Sequence, residues 1–295
     1  MTRRRLACIV APALAFALGV GGLALAQRFP QGRGGGGGRG PARIPDDRAG
    51  VPDWKVDRRF QDDVFTFVRV EYSDGYGGGG RRGGRGGWGG GRWRTDFPDS
   101  DLNFSYRLQQ LTALRVNPVP ITLRLTDPKL FDYPFLYLIE PGALMFDEDE
   151  VVALRRYLLN GGFLMVDDFW GEDEYEVFHR QMKRVFPDRE PQELPADHEL
   201  FRCVYKLKEK PQVPSIHAWE YTGGTYEPRP EGDTKEVHYR ALFDDKGRMM
   251  AIICHNTDLG DGWEREGENH EYFTEFSVKK SYPMGINIVT YAMTH

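Results

Sequence analysis

The run Asn160-Gly-Gly-Phe-Leu-Met-Val-Asp-Asp-Phe-Trp-Gly171 constrains the fold more than any other stretch of this chain. Its pattern predicts a helix ending at Asn160, a two-glycine break and a short apolar strand from Phe163 to Val166. Asp167 and Asp168 then follow, with Trp170 behind them. In a parallel α/β sheet, ligands bind in the crevice outside the carboxyl ends of the strands. Asp167, Asp168 and Trp170 are therefore candidate ligand-binding residues. Adjacent strand residues face opposite ways, so one of the two carboxylates is expected to enter the crevice. The bland alternative is an acid that caps the helix beginning at Glu172 and holds loop amides.

The flanking sequence repeats this rhythm. Phe65 to Tyr72 alternates and is rich in β-branched and aromatic residues, which predicts the first strand. Ser100 is placed to cap a helix over 101–114, and strands are expected at 121–125 and 135–139. The third strand is apolar throughout, as a strand buried on both faces requires. Asp147 with Glu150 three residues on forms a capping box for a helix over 148–159. A helix follows from Glu172 to Val185. Alternating strands and helices imply parallel pairing through right-handed crossovers. After Pro187 the pattern changes. Segments 237–243 and 248–254 flank Asp244-Asp-Lys-Gly247 as a hairpin, and an apolar helix from Tyr282 to Met293 closes the domain.

The N-terminus has a different character. Arg3-Arg4-Arg5, an apolar run from Leu6 to Leu23 and Ala24-Leu25-Ala26 match a signal peptide cleaved near Ala26. An uncleaved anchor is the alternative, and then the only membrane link. Residues 27–53, rich in glycine, arginine and proline, are read as a disordered tether, and 54–295 as the folded domain. A glycine- and arginine-rich loop is inserted at 75–94. Losing residues 1–26 removes three of the 39 basic residues and none of the 44 acidic ones, leaving a formal charge of −8. An acidic exported chain argues against nucleic acid as partner, despite the arginines and tryptophans of the loop. The expected address is periplasmic or extracellular. Its partner would be a small molecule, a glycan or a protein of the cell envelope. Cys203 and Cys254 are read either as a disulfide or as two buried thiols.

A second cluster, His255-Asn-Thr-Asp258-Leu-Gly-Asp261, follows an apolar strand and offers carboxylates and an imidazole. Asp258 joins the candidate ligand-binding residues. No cofactor is implied, and a divalent metal on these oxygens belongs to the hydrolase alternative. His198 is read as ordering a turn.

Several pieces together carry a resemblance: Asp101-Leu-Asn-Phe, Tyr133-Pro-Phe-Leu-Tyr-Leu, Leu158 through Asp168, Asp197-His-Glu-Leu-Phe201 and Asn256-Thr-Asp-Leu-Gly260. From about residue 64 onward the chain resembles a bacterial domain-of-unknown-function family, number 4159. That family in turn resembles the class I glutamine amidotransferase-like fold. The resemblance implies a flavodoxin-like α/β sandwich, with a mostly parallel sheet plus a C-terminal hairpin and helix. It also implies a nucleophilic cysteine after the 163–166 strand and a later H-x-E. This chain has neither cysteine nor serine between Asn160 and Gly171, and none of its seven histidines has an acid two residues on. A thiolate needs a base within hydrogen-bond reach, so no catalytic residue is assigned. The expected function is an exported, non-catalytic binding or scaffold domain. The alternative is a periplasmic hydrolase or carbohydrate-active enzyme built on the strand-end carboxylates.

Overall fold

The computed structural model describes residues 43–60, 63–73, 91–230 and 232–295. The expected signal peptide, most of the expected tether and residues 74–90 of the expected loop insertion lie outside that set. The described chain forms an α/β sandwich around one seven-stranded sheet. In chain order the strands are β1 (Val68–Glu71), β2 (Ile121–Arg124), β3 (Phe135–Ile139), β4 (Phe163–Asp167), β5 (Gln192–Glu193), β6 (His238–Phe243) and β7 (Met249–His255). Across the sheet the order is β2-β1-β3-β4-β7-β6-β5. The first five are parallel, β6 pairs antiparallel with β7, and the short edge strand β5 pairs antiparallel with β6. The parallel part has the 2-1-3-4-5 order of doubly wound folds, consistent with a flavodoxin-like sandwich.

Helices α1 (Asp99–Leu111), α2 (Glu148–Leu159), α3 (Gly171–Val185), α4 (Ile216–Thr222), α5 (Leu259–Glu264), α6 (His270–Tyr272) and α7 (Tyr282–Thr294) pack around the sheet. One face, with Phe67, Tyr137, Met165 and Ile252, packs against apolar side chains of α1, α5 and α7. The other, with Val70, Leu138, Val166 and Ile253, packs against α2 and α3. Strands covered on both faces must be apolar throughout. Burial is complete along β3, β4 and β7.

Local sequence explains several boundaries. The Asp147–Glu150 capping box forms as expected and starts α2. The two-glycine break serves two purposes. Gly161 takes φ +102°, and a Cβ on Gly162 would lie 2.3 Å from the Tyr157 ring. In the β6–β7 hairpin, Asp244 Oδ1 accepts from the Lys246 and Arg248 amides, while Gly247 takes φ +83°.

Other boundaries differ from expectation. α1 begins at Asp99 behind the N-cap Pro98, and Ser100 does not cap it. Its hydroxyl accepts instead from the buried Arg69 guanidinium. The same helix stops at Leu111, short of Leu114, because Thr112 turns extended and its hydroxyl accepts from the Leu114 amide. β1 starts at Val68, with Phe65 making only an isolated bridge to Val116. A π-helical stretch, Phe273–Ser281, runs without a break into α7, and Pro283 lies just after the change from π to α geometry. Cys203 and Cys254 are both free thiols. No helix of the described residues is long and apolar enough to cross a membrane.

Candidate functional site

Three neighbouring strands end alike. β3 runs into Glu140 at φ +48°, β4 into Asp168 at φ +56° and β7 into Asn256 at φ +59°. Left-handed backbone at non-glycine residues costs of order 1–3 kcal/mol each and persists only where surroundings enforce it. Here the enforcement is visible. The Glu140 amide donates to Asp167 O, the Asp168 amide to Thr257 O and the Asn256 amide to Phe169 O. The Asn256 side chain accepts from the Gly171 amide and donates to the carbonyls of Asp233 and Glu236. The turns over the carboxyl ends are thus stitched to one another.

A fourth strained residue, Asp96 at φ +61°, arrives from the far end of the loop that follows β1. Arg69 of β1 holds it there. This arginine is fully buried, and its Nε donates to both Asp101 carboxylate oxygens at 3.1 and 3.0 Å. Its Nη1 donates to the carbonyls of Trp93 and Thr95 at 3.0 and 2.8 Å, and its guanidinium lies over the Tyr137 ring. Thr95 in turn donates to the Glu140 carboxylate at 2.8 Å. One buried cation therefore fixes the return of the inserted loop onto the sheet.

The result is a cluster of carboxylates. Asp96, Asp168 and Asp258 each place an oxygen within 4.8 Å of the others. Asp168 is 8% exposed and Asp258 4%. Asp258 caps α5, one oxygen accepting from the Asp261 amide at 2.7 Å. The Asp168 carboxylate has no hydrogen bond or ion pair among the described residues, and Asp96 Oδ2 is buried without a partner. All three groups are pushed well above the usual carboxylate range. Burial is the main cause, followed by neighbouring acids: Glu140 and Asp96 for Asp168, and Asp168 and Asp96 for Asp258. For Asp96 the acids are Glu264 and Asp261. Desolvation and like charge both disfavour the ionised form.

Asp96 also lies within 4.8 Å of a second acid pair, Asp261 and Glu264. That pair has its own counter-charge. Arg265 Nε sits 2.6 Å from Glu264 and 3.6 Å from Asp261, and Asp261 accepts from the Ile216 amide and the Tyr272 hydroxyl.

The residues expected from sequence separate clearly. Asp168 and Asp258 converge. Asp167 serves a different contact, its Oδ2 accepting from the Tyr137 hydroxyl and the Gly260 amide at 3.0 Å each. Its other oxygen is buried without a partner, and burial raises its pKa to about 7. Trp170 is 1% exposed, and its indole Nε1 is likewise buried without a partner. Gly260 closes the floor. A Cβ there would lie 2.7 Å from Tyr137 Oη and 3.1 Å from Asp96 Oδ2.

His255 is not a base here. Its Nε2 contacts Gly171 O at 3.0 Å and its Nδ1 contacts Arg240 Nη1 at 3.1 Å. A carbonyl only accepts and a guanidinium only donates, so the ring is held neutral with the proton on Nε2. Burial drives its pKa down to about 3. His198 orders a turn, as the sequence suggested, with Nδ1 accepting from the Leu200 amide. Asp96 escaped sequence reasoning, since one aspartate beside a glycine-rich tract carries no spacing signal. The candidate insertion at 75–94 is described only over its last residues, including the Arg92–Arg94 turn. A separate hollow of about 260 Å³ at the opposite sheet end, lined by Phe131, Tyr133 and Tyr157, lacks such a cluster.

The family comparison agrees with this core. The family described as "Domain of unknown function (DUF4159)" matches residues 66–293, and the chain belongs to it. None of the curated proteins compared matches the chain.

Proposed function

We propose that this DUF4159 member is an exported binding domain on an amidotransferase-like scaffold, in which a carboxylate crevice replaces the nucleophile. Asp168 carries the reading. It occupies a strained turn between β4 and α3, the kind of strand-to-helix turn on which α/β enzymes expose a nucleophile. An aspartate stands there in place of a thiol or hydroxyl, its carboxylate unbonded and 8% exposed. The imidazole nearest in sequence to the cluster, His255, is committed to Gly171 and Arg240. A thiol-type acyl transfer has neither nucleophile nor base in this arrangement. The crevice instead selects a ligand that brings positive charge or several hydroxyl groups to buried carboxylates. Export is supported by the basic n-region, the apolar run and the Ala24-Leu25-Ala26 site.

A second reading, a periplasmic hydrolase, is favoured by one observation. Asp96, Asp168 and Asp258 converge from separate loops, and burial raises the neighbouring Asp167 to about 7, a value suited to proton transfer near neutrality.

The test is native mass spectrometry of the mature protein purified from its exporting host, alongside glutaminase and glycosidase assays. Binding predicts a retained small ligand, no turnover and a first residue of Gln27. Glutamine hydrolysis at rates above a buffer blank would overturn the proposal. Glycoside hydrolysis lost on Asp168→Asn would move the assignment to the second reading.

A further inference from the structure

We infer that Asp96, Asp168 and Asp258 bind a single hard divalent cation of calcium's size. The inference rests on the reading of the strand-end crevice as a ligand site, and names the ligand class. Three observations carry it. The three carboxylates come from the loop after β1, the end of β4 and the end of β7, and meet within 4.8 Å. Independently, Asp168 is more than nine-tenths buried with its carboxylate unbonded, and Asp96 Oδ2 is buried without a partner. Carboxylates in such places are paired or hold metals, because an uncompensated buried charge is costly.

The third observation is a contrast within the site. Asp261 and Glu264, which share Asp96 with this group, have Arg265 as counter-charge. No lysine, arginine or histidine among the described residues forms an ion pair with Asp96, Asp168 or Asp258. Arg69, the buried cation below them, spends its hydrogen bonds on Asp101, Ser100 and the Trp93 and Thr95 carbonyls. Arg265 thus offsets part of the charge of one acid group by direct ion pairs, whereas the Asp96, Asp168 and Asp258 group has no ion pair of its own among the described residues and is open to an outside cation.

The donor set fixes the class. Oxygen-only carboxylate ligands favour hard cations over zinc or copper. Oxygens up to 4.8 Å apart suit ion–oxygen distances of about 2.3–2.6 Å, those of calcium. Magnesium, at about 2.0–2.1 Å, would need the carboxylates drawn inward. The floor resists that movement. Asp258 is tied to the start of α5, and Gly260 leaves no slack between Tyr137 and Asp96.

The test compares thermal unfolding of the mature protein after chelator treatment, with Ca²⁺, Mg²⁺ or Mn²⁺ added singly. Asp168→Asn and Asp258→Asn are the site variants, and Asp173→Asn on the exposed start of α3 is the control. Calcium at about 100-fold its Kd should raise the midpoint of wild type and control by about 5–10 °C. It should move neither site variant. Isothermal titration should give one calcium per chain in wild type, which keeps the test decisive should a variant fail to fold. No calcium response in wild type, an equal response in Asp168→Asn, or a stronger response to magnesium overturns the proposal. If calcium has no effect but mass spectrometry finds an organic ligand lost in Asp168→Asn, the cation falls and the binding-domain reading stands.

Discussion

Replacing Arg69 by methionine should be the most damaging single change near the site. The guanidinium is fully buried, and it compensates a fully buried Asp101. Removing one partner of a buried ion pair costs about 3–5 kcal/mol, because the other charge is left uncompensated. The carbonyls of Trp93 and Thr95 lose their donor in the same step. Native domains have only about 5–15 kcal/mol to lose. Urea denaturation of Arg69→Met should therefore show a loss of about 4 kcal/mol, with the m-value unchanged. The double variant Arg69→Met/Asp101→Leu should recover part of that loss, since no buried charge then stands alone. Both variants should lose calcium binding, because residues 93–97 no longer hold Asp96 over the strand ends. A single-variant loss below about 1 kcal/mol, or a double variant no better than the single, would show that Arg69 does not compensate a buried Asp101 charge.

Three further outcomes follow from the same geometry. Because burial lowers the His255 pKa to about 3, the unfolded chain takes up a proton below pH 6.5 that the folded chain refuses. That contribution is complete above pH 6.5 and fades as pH falls toward 3, by about 2 kcal/mol between pH 7 and 5. Raised acids such as Asp167 act with the opposite sign, so the measurement is the difference in pH slope between wild type and His255→Gln. In chelator at pH 8, Asp168→Asn should be more stable than wild type by about 1–3 kcal/mol, since unit charges 4.8 Å apart repel by about 3.5 kcal/mol at an effective dielectric of 20. Chemical denaturation checks the sign, and a destabilised variant contradicts the reading of Asp168 as unpaired. Gly162→Ala places a methyl 2.3 Å from the Tyr157 ring and should cost at least about 2 kcal/mol, visible as a lowered melting temperature.

How far the sequence could be read depended on whether the controlling interaction was local. The α2 capping box, the two-glycine break before β4 and the Asp244–Gly247 turn are set by residues within a few positions, and all three were legible. β3 was legible because burial on both faces leaves no polar position. Arg69 was not. Nothing local in β1 marks its arginine as buried, because its partner Asp101 lies 32 residues on and enters from α1. That one pairing also explains the misassigned cap at Ser100 and the invisibility of Asp96, which reaches the crevice only because Arg69 holds its loop. Asp168 and Asp258 were singled out as candidates by a general rule about strand ends, and their carboxylates lie close together. The opposite roles of Asp167 and Asp168 followed from strand periodicity. The commitment of His255 to Gly171 and Arg240 depended on the antiparallel placement of β6, which orders Arg240 beside it.

The most direct measurement is a crystal of the mature protein grown with calcium, then exchanged into manganese and recorded at a wavelength where manganese scatters anomalously. A single anomalous peak bounded by the carboxylates of Asp96, Asp168 and Asp258, absent in Asp168→Asn crystals, is the predicted result. Well-ordered carboxylates with no peak between them at millimolar manganese would contradict the account.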